Sequence, residues 1–154
     1  MLNETPEGAV ASINTHDLPT FASYWLGTDI AERVEMALLT EEEAQQEQNA
    51  RKIMREAVLK EIGAENHEEI TALDQEKQME MVLGSIFEEL TQSNAGTVLV
   101  NLEDAWFCRE PQNVPGTWKE KPNWRHKSRF KDAELEGVAY LMKILGKINR
   151  ARNS

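Results

Sequence analysis

Apolar residues form two short runs along the chain. The first spans 9–13 and reads AVASI, and it is entered through Pro6 and Gly8. The second spans 97–102 and reads TVLVNL. Short apolar runs that end abruptly in polar residues are typical of buried strands in a parallel sheet. We therefore predict a strand at each of the two positions.

Helical periodicity marks the segments between and after these runs. A stretch rich in Glu, Gln, Ala and Arg extends from Asp29 to about Gly63, and Thr40 with Glu43 has the spacing of a capping box within it. One or two amphipathic helices are predicted there. The strongest helical pattern follows a polar stretch near 66–71 and places its apolar residues on one face. Those residues are Met79, Val82, Leu83, Ile86, Phe87 and Leu90. A final helix is predicted from Leu135, Val138, Met142, Leu145 and Ile148.

The order of these elements predicts a helix-rich α/β protein. Each strand is followed by polar residues and then by helix, which makes two β-α units. A parallel pair buried on both faces needs neighbouring strands, and the sequence offers no further convincing strand, so we expect the chain to be part of a larger fold. In (β/α) barrels the reacting groups lie just past the carboxyl ends of the strands, where His16, Asp17, Glu103 and Asp104 fall.

Composition and charge exclude several classes of function. The chain has 154 residues, of which 40% are hydrophobic and 29% charged, as in ordinary soluble domains. Its formal net charge of −10 argues against binding to nucleic acid or to an anionic membrane, because both require an excess of Lys and Arg. The single Cys108 allows no internal disulfide, and MLNETPEGAV at the amino terminus lacks the features of a secretory leader. We therefore expect a cytoplasmic protein without a membrane span.

A histidine and a carboxylate stand side by side after the first predicted strand. On local grounds alone, an Asp at such a place is more often a helix N-cap than a reacting group. The longer string THDLPTF at 15–21, with Trp25 shortly after it, is more specific. It resembles the motif after the seventh strand of the amylomaltases, glycoside hydrolase family 77. A second string, LVNLEDAWFCREPQNVPGTWKEKPNWR at 99–125, resembles the eighth strand of that family and the loop after it.

The resemblance implies a fold and a domain organisation. The chain would be a partial (β/α)8 TIM barrel that comprises the seventh and eighth β-α units. Residues 1–130 would form the C-terminal part of a glucanotransferase catalytic barrel, with a helical insertion at about 29–93, and residues 131–154 would form a C-terminal helix.

The resemblance also implies a reaction, in which α-1,4-glucan segments pass to the 4-hydroxyl of glucose or maltodextrin acceptors by a retaining mechanism without a cofactor. Asp17 would bind ring hydroxyls and stabilise the oxocarbenium-like transition state, while His16 and Asn113 would bind the substrate. The nucleophile and the acid/base of this family follow the fourth and fifth strands. We therefore expect the chain to lack both, to be inactive alone and to depend on the N-terminal part of the barrel as a partner.

Two alternative functions stay open. Glu103 and Asp104 could act with Asp17 as an independent hydrolase, although adjacent residues of a strand point to opposite faces, which favours a structural role for the pair. The chain could also be a non-catalytic helical interaction protein whose amphipathic segments bind a partner helix.

Several conspicuous residues receive a plain interpretation. Pro115-Gly116 beside Asn113 favours a tight turn in any protein. The four tryptophans are assigned no sugar subsite, since buried anchoring is their commoner fate. His67 and His126 lack the spacing of metal ligands, so no metal site is predicted, and Cys108 is expected to be an inert packing residue.

Overall fold

The computed structural model describes residues 5–62, 70 and 73–152. Helices dominate this part of the chain. In chain order the elements are β1 (Val10–Ala11), α1 (Phe21–Leu26), α2 (Thr28–Glu35), α3 (Glu41–Ile62), α4 (Gln75–Gln92), β2 (Thr97–Val98), a 3-10 helix (Leu102–Trp106), a second 3-10 helix (Asp132–Gly137) and α5 (Ala139–Arg152).

The two strands lie side by side and parallel, with Val10 opposite Thr97. Both predicted strands are therefore present, and the connection between them is helical, as expected for β-α units. They are shorter than predicted and are not fully buried, since Val10 is 61% exposed and Leu99 52% exposed. Within the described residues the sheet has two strands, so each strand has one edge whose backbone groups are not paired with a further strand.

The turn into β2 requires a glycine. A Cβ on Gly96 would lie 2.6 Å from the backbone oxygen of Glu7, well inside van der Waals contact. The segment before β2 therefore passes close to the backbone of the segment before β1, which leaves no room for a side chain at position 96.

A sharp turn separates α1 from α2. Thr20 is the N-cap of α1, since its hydroxyl accepts a hydrogen bond from Ser23 N at 3.2 Å, so the N-cap role that local propensity favours for Asp17 belongs to Thr20 instead. Gly27 ends α1 in the left-handed conformation at φ 76°, which a residue with a Cβ rarely adopts.

The long helix α3 begins at the predicted capping box. Glu43 N donates to Thr40 Oγ1 at 3.2 Å, and Thr40 N donates to the Glu43 carboxylate at 2.9 Å. Arg51 on α3 binds the buried Asp29 of α2, with Nη1 3.1 Å from Oδ1. The stretch from Asp29 to about Gly63, where one or two amphipathic helices were predicted, therefore contains most of α2 and all of α3, and a buried ion pair joins these two helices.

The core lies between α1, α4 and α5. The predicted apolar face of α4 is confirmed, and its residues pack against Phe21, Trp25 and Ile144. The prediction for the last helix is wrong in detail, because Met142 and Leu145 are 45% and 39% exposed while Leu141 and Ile144 are buried. The predicted helical spacing began at Leu135, which lies in the second 3-10 helix and not in α5. The residues of α5 that are buried are therefore those that pack on α4.

Parts of the sequence-based predictions fall outside the described residues. These are most of the polar stretch near 66–71, including His67, the last residues of the C-terminal segment and the first four residues of the chain. The boundary between 1–130 and 131–154 stays a prediction.

Candidate active site

The loops that follow the two strands meet at one end of the parallel pair. Asn14 follows β1 and Asn101 follows β2, and Asn101 Nδ2 donates to Asn14 Oδ1 at 3.3 Å. Because both strands run in the same direction, their carboxyl ends lie together, as at the catalytic end of a (β/α) barrel. This asparagine pair joins the two loops that carry the candidate residues.

Asp17 is an exposed carboxylate that is held on both sides. Asn113 Nδ2 donates to Asp17 Oδ1 at 2.6 Å, and His16 Nε2 lies 3.4 Å from Asp17 Oδ2. The side chains of His16 and Asp17 are 60% and 52% exposed. The fold thus brings together the three residues chosen from the sequence, although Asn113 lies 96 positions after Asp17. A carboxylate in this setting can accept hydrogen bonds from the hydroxyls of a bound sugar.

The loop that carries Asn113 is shaped by the predicted tight turn. Thr117 N donates to the Val114 carbonyl at 3.2 Å, and Gly116 has φ 84°, as the third residue of a type II turn requires. Asn123 secures the loop from inside, because its Oδ1 accepts from Val114 N at 3.1 Å and its Nδ2 donates to the Thr117 carbonyl at 3.1 Å. Asn113 therefore stands next to a rigid turn.

Asp104 lies beneath the candidate site and is 1% exposed. Its carboxylate accepts hydrogen bonds from Phe21 N at 2.7 Å and from Asn14 Nδ2 at 2.8 Å. Burial raises the pKa of Asp104 from 3.8 to about 6, against the opposing effect of these two hydrogen bonds and with a small addition from the charge of Glu103. The carboxylate thus fixes both ends of the segment that carries Asp17, a role that the sequence did not reveal.

Glu103 and Asp104 do not follow a strand directly. They lie in the first 3-10 helix, which starts at Leu102 after Asn101 caps it through a bond from Glu103 N. Glu103 turns toward the loop, where its Oε1 accepts from Gln112 Nε2 at 2.9 Å. Sequence reasoning that treated the two as adjacent strand residues was therefore wrong about their local structure.

Two cavities border the His16 and Asp17 pair. One has a volume of about 500 Å³, is mostly apolar and is lined by Asp17, Asn113, Tyr24 and Trp25 among others. The other has a volume of about 370 Å³ and is more polar, with His16 and Gln112 in its wall. Asp17 therefore lines the larger and more apolar of these two cavities, and His16 lines the more polar one, which has room for a small polar ligand.

Comparison with known proteins identifies the family. The family model described as 4-alpha-glucanotransferase matches residues 1–132. The chain belongs to glycoside hydrolase family 77. A 4-alpha-glucanotransferase of Haemophilus influenzae is 28% identical over 99% of this chain and 22% of its own length. One of Mycobacterium tuberculosis H37Rv is 31% identical over 77% of this chain and 16% of its own length. The chain thus spans about a fifth of the length of the relatives it matches.

A solved structure confirms the likeness of fold. The amylomaltase of Corynebacterium glutamicum superposes on this chain with a TM-score of 0.66 at 20% sequence identity. The match covers 94% of this chain and 21% of the amylomaltase. The helix-rich fold of this family 77 chain is therefore shared with one part of that enzyme.

The tryptophans of the family 77 chain differ widely in environment. Trp25 is 2% exposed and anchors the core, as expected from the sequence. Trp106 is half-buried and meets Phe130 edge to face. Trp118 and Trp124 are 80% and 60% exposed, so the expectation of buried anchoring is wrong for these two.

Two further titratable residues of the described part, Cys108 and His126, lie away from His16 and Asp17. Burial raises the pKa of the Cys108 thiol, which lowers its reactivity. His126 Nε2 lies 2.9 Å from a carboxylate oxygen of Glu110. Within residues 5–62, 70 and 73–152 no group of three or more His, Cys, Asp or Glu side chains is placed to hold a metal ion. In the same part of the chain, no helix combines the length and the apolar character needed to cross a membrane.

Proposed function

We propose that this chain supplies the Asp17 side of the sugar-binding site in a 4-alpha-glucanotransferase. The enzyme would transfer α-1,4-glucan segments to the 4-hydroxyl of glucose or of maltodextrin acceptors. The observation that carries the proposal is the Asp17 carboxylate, which is exposed and held by His16 and Asn113 at the carboxyl end of a parallel strand pair.

The chemistry of glycosyl transfer explains what such a carboxylate does. A retaining enzyme needs a nucleophilic carboxylate and a separate acid/base carboxylate about 5 to 5.5 Å apart across the scissile bond. A further carboxylate that binds ring hydroxyls lowers the barrier if its hydrogen bonds strengthen as positive charge develops on the sugar. We assign this third role to Asp17. His16 and Asn113 then orient both the carboxylate and the sugar.

The nucleophile and the acid/base would come from outside these 154 residues. Asp104 is buried and occupied by two donors, and Glu103 is engaged by Gln112, which disfavours an independent hydrolase built on Asp17 with either of them. The exposed apolar side chains of Val10 and Leu99 support the same view, because a strand pair with open edges needs neighbours. The chain would then form the seventh and eighth β-α units of a barrel, completed by a polypeptide that carries the others.

A chimaera tests this proposal. The segment of the Haemophilus influenzae relative that matches this chain is replaced by residues 1–154, and the product is incubated with maltotriose. We expect release of glucose together with longer maltodextrins. The 154-residue chain alone should release none, because the two carboxylates of the chemical step are absent.

The Glu103→Gln variant of the chimaera provides a control. It should retain most of the activity if the acid/base lies elsewhere, whereas an independent hydrolase would lose it. Turnover of maltotriose by the pure isolated chain, or a folded chimaera without any transfer activity, would contradict the proposed function.

A further inference from the structure

Trp124 has an unusual backbone conformation for a bulky residue. Its φ is 61°, in the left-handed region where side chains with a Cβ are strained. Its side chain is 60% exposed, so packing in the core does not explain the conformation. Strain of this kind persists only where the surroundings enforce it, and it concentrates at functional sites.

The loop that carries Asn113 enforces the conformation of Trp124. Trp124 N donates to the Gln112 carbonyl at 2.8 Å, directly before Asn113 in the chain. The preceding Asn123 is fixed by its bonds to Val114 and Thr117 on the same loop. The position of the indole is therefore tied to the position of the amide that holds Asp17.

The indole of Trp124 lies at the edge of the candidate active site. Its ring centroid is 5.0 Å from that of His16, with the two planes tilted by 54°. His16 in turn contacts Asp17, whose other oxygen is bound by Asn113. An exposed aromatic surface thus stands one residue away from the carboxylate, in contact with the imidazole that touches it.

We propose that Trp124 is a stacking surface for a glucose residue of an α-1,4-glucan bound at Asp17. A glucose ring presents apolar C–H groups on its faces and hydroxyls at its rim. An indole can pack against such a face, while His16, Asp17 and Asn113 bind the hydroxyls. The inference rests on the proposed function, since it takes the glucan as the ligand of this site.

The proposal is tested by measuring the binding of maltoheptaose to the 154-residue chain. Saturation-transfer difference NMR is suited to this measurement, because it reports the sugar protons that touch the protein and needs only dilute protein. We expect Trp124→Ala to weaken binding about tenfold, equal to about 1.4 kcal/mol. Trp124→Gly should weaken it equally, because the ring is lost although the backbone strain is relieved. Trp124→Phe should retain part of the affinity. Far-UV circular dichroism confirms that each variant is folded.

Trp118→Ala is the matched control. Trp118 belongs to the same loop and is 80% exposed, but its ring meets Lys119 rather than His16. Its loss should leave the affinity for maltoheptaose unchanged. If Trp118→Ala weakens binding as much as Trp124→Ala, the effect is a general one of exposed indoles and the inference is overturned.

The Asp17→Ala variant separates failure of this inference from failure of the proposed function. If Asp17→Ala weakens binding and the Trp124 variants bind like wild type, the stacking role is wrong and the glucan site stands. If only the Trp124 variants weaken binding, the stacking role stands and the placement of the sugar on Asp17 is wrong. Absence of any maltoheptaose signal with the wild-type chain would overturn both.

Discussion

Replacing the buried Asp104 with Asn should destabilise the protein less as the pH rises. The wild-type carboxylate accepts from Phe21 N and from Asn14 Nδ2. An Asn side chain offers only one acceptor oxygen, so one of these buried donors then faces an amide NH₂. Leaving a buried donor unpaired costs about 1 to 3 kcal/mol at any pH.

The wild-type carboxylate adds a pH-dependent contribution that the Asn variant lacks. Its pKa is about 6 in the folded protein, above the 3.8 of an unperturbed Asp, so the folded state holds the proton more tightly than the unfolded state. Stability from this group is therefore greatest at low pH and falls as the pH rises from 3.8 through about 6. Between about pH 5 and about pH 7.5 the loss is about 1.4 kcal/mol.

The free energy of unfolding of both proteins is measured with urea at these two pH values, with far-UV circular dichroism as the signal. The difference between wild type and Asp104→Asn should shrink by about 1.4 kcal/mol from the lower to the higher pH. Asp74→Asn serves as control, because a hydrogen bond from Lys77 N lowers the pKa of that exposed carboxyl, and its titration is complete below the range. A constant difference for Asp104→Asn would refute the raised pKa.

Three other predictions concern one glycine, the exposed strand pair and Asn113. Gly96→Ala should destabilise the chain by about 1 to 3 kcal/mol in urea unfolding, because its Cβ meets the Glu7 backbone, while Gly137→Ala, with open space around it, should not. The isolated chain should bind a hydrophobic dye through the exposed apolar side chains of its strand pair, and a sharp cooperative melt without dye binding would argue against this. In the chimaera, Asn113→Ala should lower kcat less than Asp17→Asn, because the Asn113 amide positions the carboxylate and does not itself stabilise the charge that develops on the sugar. An equal loss of kcat in the two variants would contradict that role.

Local patterns in the sequence predicted the elements that local physics determines. The face of α4 and the capping box at Thr40 follow from helical spacing and from bonds within four residues, and both are confirmed. The turn at Pro115-Gly116 is of the same kind. The buried face of α5 was missed because it depends on contact with α4, which no local pattern encodes.

In the candidate site, too, sequence motifs revealed some residues, whereas those defined by long-range contacts or backbone geometry were missed. His16, Asp17 and Asn113 were found through two motifs, and the fold joins them by contacts across 96 positions. Asp104 was missed as an anchor because its partners, Phe21 N and Asn14, lie more than 80 positions earlier, and a backbone donor leaves no mark on the sequence. Trp124 was missed for a related reason, since neither a positive φ nor a ring contact with His16 can be seen in the string PNWR.

The role of Asp17 is tested most directly by the kinetics of Asp17→Asn in the chimaera, with maltotriose as substrate. Asn keeps the shape of the side chain and removes its charge. If the carboxylate binds the sugar more strongly in the transition state than in the ground state, kcat should fall by a factor of roughly 10² to 10³, while substrate binding weakens far less. A kcat close to that of the unmodified chimaera would show that Asp17 does not stabilise the transition state.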